Sequence, residues 1–485
     1  MNLAKTSNPV PSKRARTKIV ATVGPASVDK LQELLLAGVD VFRVNMAHGT
    51  REQHQTIVDS IRSLSKSLDI PVGILIDLAG PKIRLGELFT DPIDCVVGTH
   101  YTFTTADEAT CATELTTNYA PLIEELSVDD SVMLADGTVE MKVIEESETT
   151  VTCRVVEGGI LRSRQGVNLP GVNLSVPALT VQDRDNAVWA TSVDADFISL
   201  SFVRAPLELL ELKALLEEQG SQAMVIAKVE KREAMQRLDE IVLASDAVMV
   251  ARGDLGVEID VAETPIAQKR IIQKCHDYSR PVIVATQMLD SMQHSTRPTR
   301  AEVTDVANAI LDGADACMLS GETAIGTYPV ETVRMMNRIM LNTEATLHDR
   351  KPITKALLEE GVQPVTSAIV YGAARVAEQL GAKLVVVATR TGNTARIKAN
   401  QKDFIPTVGV SRDEKTLRQL CLYWGIIPLG GMPIGDGQEL RNAVEQWGKQ
   451  QGLLVRGDSI VFVTSSTFGP LGHDMVFVHE IEDLQ

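Results

Sequence analysis

Eight short apolar runs recur along the chain, and each gives way at its end to polar, charged or glycine residues. The runs are Ile19–Val23, Val39–Val44, Val72–Ile76, Phe197–Leu200, Met224–Ala227, Ala247–Ala251, Val282–Ala285 and Ala316–Leu319. Amphipathic helical stretches separate most of them, such as Val28–Ala37, Leu207–Glu218 and Ala262–Tyr278. Strands alternating with helices imply crossover units and a parallel sheet. Eight such units imply a closed (β/α)8 barrel with its site at the C-terminal ends of the strands. The competing architecture is a doubly wound open sheet. That fold carries a glycine-rich phosphate turn after its first strand, and Thr22-Val23-Gly24-Pro25 is not such a motif.

One crossover is far too long for a single helix. The third run ends near Leu78 and the fourth begins at Phe197. Within this interval Val132–Met141 reads as two strands about an Asp136-Gly137 turn. Tyr101–Thr105 and Val151–Val156 are further strand candidates. An all-β insertion at the C-terminal ends of barrel strands suits a lid that excludes water from a site there. After about Lys351 a third unit begins. It holds a helix candidate at Val365–Leu380 and apolar runs at Leu384–Ala388, Thr407–Val410, Ile426–Leu429, Ile460–Thr464 and Val476–Val478. Helical segments around Lys415–Tyr423 and Glu439–Gln450 separate several of them. The expected division is a barrel from residues 1–86 and 179–350, a β-rich lid at 87–178, and a C-terminal α/β domain at 351–485. The last has no carboxylate cluster like that of the barrel and reads as regulatory or structural.

Length and charge narrow the function. A chain of 485 residues accommodates roughly three domains of ~150 residues. No apolar run approaches the ~18 residues of a membrane helix. Met1–Lys18 has polar residues and prolines where a signal peptide carries its apolar stretch, so a cytoplasmic location is expected. The six cysteines (Cys95, Cys111, Cys153, Cys275, Cys317, Cys421) form no Cys-x-x-Cys pair, which argues against zinc or a disulfide framework. A net charge of −17 argues against nucleic-acid binding. It still permits a local cationic pocket for a small anion. The basic run Lys13–Lys18 reads as a solvated leader into the first strand.

The fifth and sixth runs hold the chemistry, in Ile226-Ala227-Lys228-Val229-Glu230 and Val250-Ala251-Arg252-Gly253-Asp254. Lys228 and Glu230 are two apart and leave the same face of a strand. With Asp254 just past the next run, one cation and two carboxylates converge at neighbouring strand ends. That is the minimum for phosphoryl transfer: a cation for phosphate and carboxylates for a divalent metal. The second run adds Arg43 and Asn45 on one face, followed by His48. Arg suits bidentate phosphate contact, although a lone Arg at a strand end is more often a surface ion pair. The third run ends Asp77-Leu78-Ala79-Gly80-Pro81-Lys82-Ile83-Arg84, read as a phosphate-binding loop rather than a solvated turn. Gly253 leaves backbone N–H groups open to a ligand carboxylate. The seventh and eighth runs end in Thr286-Gln287 and Ser320-Gly321-Glu322-Thr323. Polar ends on almost every run have no purely structural explanation.

These motifs, in order, resemble the pyruvate kinase family over nearly the full chain. The resemblance rests on Thr17–Ser27, Arg43-Val44-Asn45, Gly80–Arg84, Gly166-Val167-Asn168-Leu169-Pro170-Gly171, Ile226–Glu233, Ala251–Gly256, Ala285–Leu289 and Leu319–Ala324. It implies transfer of the phosphoenolpyruvate phosphoryl group to ADP, giving pyruvate and ATP. The substrate carboxylate is then expected on the Ala251–Asp254 backbone, Gly253 and Asp254 included, and on Thr286, with Mg2+ or Mn2+ on Glu230 and Asp254. Lys228 is expected to stabilise the phosphoryl group in flight. Arg43 and Arg84 are expected to hold phosphate, and Asn45, His48, Arg84 and Pro25 to face the nucleotide. Thr286, with water near Ser320 and Glu322, is the candidate route for the proton to the enolate.

The chain departs from the family at informative points. Relatives that need K+ hold it with Asn, Ser, Asp and Thr oxygens, and the matching positions here are Asn45, Ala47, Asp77 and Leu78. Two side-chain oxygens are missing, and a monovalent site is poorly ligated. Lys82 stands where K+-dependent members carry Glu, so its ammonium is expected to replace the ion and K+ not to be required. Gln165 and Ile325 stand at positions where relatives carry lysines near the nucleotide, which bears on ADP affinity. In the third unit, Thr389, Thr391, Gly392, Asn393 and Thr394 form an anion cradle at a helix start. Ordinary helix capping needs only one such Thr. By resemblance this segment takes the phosphate of a sugar-phosphate or nucleotide effector, and the chain forms a homotetramer. Two other readings compete: a metal-dependent barrel lyase on pyruvate-like substrates, and a catalytically silent sugar-phosphate sensor.

Overall fold

In the computed structural model the described residues are 14–172, 174–347, 364–434, 437–465 and 474–482. Lys13, the start of the third unit near Lys351 and the loop Ser466–His473 fall outside them. The rest of the expected leader is not solvated: the Arg16 and Thr17 N–H groups donate to the Glu344 carboxylate at 2.9 and 2.7 Å, and Thr17 and Lys18 are buried. Eight parallel strands close a barrel: Lys18–Thr22, Val41–Asn45, Gly73–Asp77, Phe197–Leu200, Met224–Val229, Ala247–Ala251, Val282–Ala285 and Ala316–Leu319. Each pairs with its neighbours in chain order, and the eighth closes onto the first with Lys18 opposite Ala316. The doubly wound alternative is excluded by that closure. Every strand lies within two residues of its apolar run.

Alternation along the strands splits the core. Ile19, Ala21, Phe42, Ile74 and Ile76 face outward and pack with the surrounding helices. Val20, Val41, Leu75, Phe197, Ile226 and Met249 face inward and fill the barrel. The helices start where their sequences offer caps. Thr50, Thr180 and Thr299 each accept a hydrogen bond from the backbone three residues on and receive the reciprocal side chain in return.

The interval after the third strand contains the expected β structure. A six-stranded sheet includes His100–Thr104, Ser131–Leu134, Val139–Glu146, Thr150–Glu157 and Val167–Asn168. Its own core holds Phe103, Leu134, Met141, Val151 and Cys153. The third unit is a five-stranded sheet. Leu384–Ala388, Thr407–Val410 and Ile426–Leu429 run parallel, and Met475–Glu480 adds an antiparallel edge beside Ser459–Thr464.

The third unit grips the end of the barrel opposite the site. Arg418 pairs with Asp196 at 2.7 Å and Asp194 at 2.5 Å, and Lys402 pairs with Asp315 at 2.5 Å. The helix Asn393–Asn400 donates from Arg396 to the Ser279 carbonyl at 2.5 Å and from Asn400 to the His276 carbonyl at 3.0 Å. Both acceptors lie just before the seventh barrel strand.

Candidate active site

The third, fourth and fifth strand ends converge on one buried lysine. Lys228 lies 2.9 Å from Glu230 Oε1 and 3.6 Å from Asp77 Oδ1, and donates to Ser201 Oγ at 2.7 Å. Burial disfavours its charge, but Asp77 and Glu230 outweigh that and hold its pKa above the ordinary lysine value. The ammonium is therefore charged at neutral pH. Asp77 also receives Arg43 through Nε at 2.7 Å and Ser199 Oγ at 2.5 Å. These cations overcome its burial and pull its carboxyl below the usual range. Arg43 is thus no surface pair. Its remaining nitrogen donates to Thr22 Oγ1 at 2.9 Å, which fixes the fork across three strands.

Glu230 is 1 % exposed and accepts from the Phe202 N–H at 2.6 Å. Burial pushes its pKa up, Lys228 opposes this, and the charge of Asp254 adds to the rise. Glu230 and Asp254 therefore sense one another across adjacent strand ends. Two hard carboxylates under mutual repulsion fit a small divalent cation. Among the described residues no group of three or more His, Cys, Asp or Glu gathers as a metal cage. Such a cation would rely on ligands beyond these two carboxylates, as catalytic rather than structural metals do. Lys82 reaches the same point, 3.5 Å from Asp254 Oδ1.

Thr286 and Gln287 follow the seventh strand with φ of 70° and 54°. A β-branched residue in that left-handed region is strained. The turn is held by Arg252, which donates to the Thr286 carbonyl at 2.7 Å and pairs with Asp305. It brings Thr286 Oγ1 to the Gly253 N–H at 2.8 Å. Gly253 thus lies against Thr286, at the start of the helix Arg252–Glu258 that carries Asp254.

On the other side of the mouth, His48 lies near Arg84, Arg43 and Lys82. Desolvation and these cations push its pKa down. Arg84 Nη1 donates to the Arg164 carbonyl at 3.3 Å. Asn45 Oδ1 accepts from the Ala47 N–H at 3.1 Å. Pro25 is exposed beside Gly24, where a Cβ would lie 2.5 Å from the Ala324 carbonyl, so the first turn packs on the eighth. Gln165 Oε1 accepts from the Arg162 N–H, and Ile325 is exposed. Glu322 faces the protein backbone instead of the mouth. Its oxygens accept from Leu289 N at 3.1 Å and Ser320 N at 2.7 Å, tying the last two strand ends together.

Sequence reasoning did not single out Ser199, Ser201 or the Phe202 N–H. Ser199 and Ser201 alternate along the fourth run, and that was the available signal. Nothing in the sequence marks Phe202 as adopting a φ of 56° that aims its N–H at Glu230.

In the third unit, a cavity of about 600 Å³ lies against the barrel. Arg390, Thr391 and Asn393 line it with Arg396, and the barrel contributes Asp246 and Arg280. Thr389 does not line it; its Oγ1 accepts from the Gly392 N–H at 3.0 Å and shapes the loop from inside. Gly392 has a φ of 83° that glycine adopts freely. Thr394 is buried on the helix.

A closed (β/α)8 barrel with a charged lysine, two facing carboxylates and clustered arginines at its mouth defines a barrel phosphotransferase. Known proteins place it more narrowly. The model for the pyruvate kinase barrel domain matches residues 14–333, and that for the pyruvate kinase alpha/beta domain matches 367–479. A pyruvate kinase of Geobacillus stearothermophilus is 38% identical over 477 residues, spanning 97% of this chain and 81% of the relative. A pyruvate kinase of Mycobacterium intracellulare is 40% identical over 474 residues, spanning 96% and 98%. The crystal structure of a pyruvate kinase from Cryptosporidium parvum superposes with a TM-score of 0.88 at 31% identity, covering 96% of each chain. The chain belongs to the pyruvate kinase family.

Proposed function

We infer that this chain transfers the phosphoryl group of phosphoenolpyruvate to ADP, giving pyruvate and ATP, the last step of glycolysis. The observation that carries this reading is Lys228, buried and charged between Glu230 and Asp77 at the mouth. The lyase reading has no use for this lysine, and the silent-sensor reading leaves the intact cluster unexplained.

The geometry supports the following roles. The substrate carboxylate docks against the Gly253 and Asp254 backbone and Thr286. Arg43 and Arg84 hold phosphate oxygens, and Lys228 stabilises charge on the phosphoryl group as it moves. When bound at Glu230 and Asp254, Mg2+ or Mn2+ supplies charge neutralisation for the phosphate and the departing enolate oxygen. Asn45, His48, Arg84 and Pro25 border the nucleotide. Thr286 Oγ1, which accepts from the Gly253 N–H and donates to the Ala285 carbonyl, is the proton-relaying group. The β-rich insertion acts as the lid, with the three units divided at 1–86 with 179–350, 87–178 and 351–485.

K+ is not required. Lys82 brings an ammonium to Asp254, while Ala47 and Leu78 offer no side-chain oxygen and Asp77 is engaged by Arg43 and Ser199. Turnover of phosphoenolpyruvate in K+-free buffer that needs both Mg2+ and ADP is the expected result. Turnover appearing only after K+ is added would remove this account of Lys82.

The cavity beside Arg390, Thr391 and Asn393 takes the phosphate of a sugar-phosphate or nucleotide effector. Arg390→Ala is expected to abolish activation by such compounds with effector-free kcat kept; activation that survives rules the cavity out. The assembly is a homotetramer, checked by sedimentation equilibrium. Among the described residues no helix is long and apolar enough to cross a membrane. A cytoplasmic location is the proposal, and recovery in the membrane fraction would contradict it.

A further inference from the structure

One buried ion pair lies directly behind the two carboxylates. Lys231 Nζ meets Glu258 Oε1 at 2.5 Å, with the two side chains 8% and 1% exposed. Lys231 is the residue after Glu230, at the end of the fifth strand. Glu258 ends the short helix that carries Asp254, four residues on and so on the same helix face. The pair spans the two elements whose carboxylates face one another.

Stability alone does not explain it. A buried ion pair is often no more stabilising than apolar residues of the same volume, because both charges lose their hydration. Here the cost is larger still. Glu258 Oε2 is buried with no hydrogen-bond partner among the described residues. Glu233, also near, adds a like charge. The Asn168 side chain lies beside this carboxylate without full hydrogen-bond alignment. Asn168 belongs to the strand Val167–Asn168, which pairs with Ser131–Leu134 inside the six-stranded insertion. Asn168 and Lys231 also line one small cavity with Lys82, between the root of the insertion and the barrel.

We propose that Lys231 and Glu258 are positioning residues that fix the spacing of the two elements carrying Glu230 and Asp254, and that Asn168 couples this brace to the root of the lid. The proposal rests on the reading that Glu230 and Asp254 hold the divalent metal. The pair sets how far apart two elements stand. Asn168 completes the free carboxylate oxygen when the insertion moves over the mouth.

The test separates bracing from simple packing. The probe is Mn2+ alone, titrated calorimetrically into the full-length protein without substrate. Lys231→Met with Glu258→Leu replaces the pair by apolar side chains and is expected to keep the thermal midpoint. Mn2+ binding is expected to weaken about tenfold or more, the usual effect of losing a residue that supports a metal ligand. Lys231→Arg, which keeps the charge, is expected to recover most of that affinity. A double variant that binds Mn2+ like the parent overturns the brace. Glu230→Gln is measured beside it. If that variant also binds Mn2+ normally, the metal-site reading has failed; if it alone loses Mn2+, only the brace has failed. For the lid, Asn168→Ala is expected to lower kcat about tenfold with Mn2+ affinity of the free protein unchanged, and an unaltered kcat removes Asn168 from the proposal.

Discussion

At the scale of single residues, the site is a balance of charges that no member can leave cheaply. Lys228 is shared by Asp77 and Glu230, and Asp77 is shared again with Arg43. Lys228→Met leaves two carboxylates facing one another under low dielectric. Stability is expected to fall by about 3–5 kcal/mol, the cost of breaking a buried pair. The kcat is expected to drop by roughly 10²–10³, as when one transition-state donor is removed. A midpoint from chemical denaturation and a steady-state assay measure both, and a loss of stability with intact kcat would contradict the role given to Lys228. Lys82 makes a sharper case. Lys82→Ala is expected to lower kcat in K+-free buffer, and added K+ is expected not to restore it. Ala47 and Leu78 have no side-chain oxygen to hold the ion, so rescue by K+ would contradict the substitution of ammonium for metal.

At the scale of elements, the seventh strand ends in stored strain. Thr286 and Gln287 hold left-handed backbone, worth about 1–3 kcal/mol each. Thr286→Gly relieves that strain and loses the Oγ1 bond to Gly253, so the thermal midpoint is expected to stay close to the parent's. The kcat/KM for phosphoenolpyruvate is expected to fall by about 10². A variant with normal kcat/KM would make Thr286 a turn residue only. Elements were also what the sequence showed best. The strands of the barrel and of the third unit follow from apolar runs with polar ends, because burial on both faces leaves little choice of residue. The paired Lys228 and Glu230 were legible because a strand alternates every second residue. Side-chain choices that depend on distant segments were not. Ser201 serves Lys228 from just past the fourth strand, Glu258 serves Lys231 from the helix Arg252–Glu258, and Phe202 contributes only a backbone N–H. The role of Glu322 misled for the same reason: its partners Leu289 and Ser320 are backbone donors, which composition does not reveal.

At the scale of the whole molecule, contact between the barrel and the third unit is expected to weaken in acid. His276 Nε2 donates to the Gly313 carbonyl across 2.9 Å while its own carbonyl accepts from the Asn400 side chain. Burial, then Lys402, push its pKa below the ordinary value, against the opposing pull of Asp315 and Asp277. The unfolded chain therefore binds more protons in the window from ~6.5 down to the lowered value. Stability rises with pH across that window and is lost on acidification through it. Thermal midpoints measured from pH 7.5 to 5 are expected to fall more steeply in the parent than in His276→Gln. Parallel curves would place the acid sensitivity elsewhere.

Ring closure has a consequence for how the molecule is made. The first barrel strand at Lys18–Thr22 has the eighth, at Ala316–Leu319, as one of its two neighbours. On a ribosome adding about 5–20 residues each second, that neighbour arrives on the order of tens of seconds after the first strand emerges. Throughout that delay the nascent sheet has a bare side. The β-rich insertion, whose strands mostly find partners within their own sheet, is free to finish early. Translation speed between these two segments thus sets how long the unfinished ring is exposed to other growing chains.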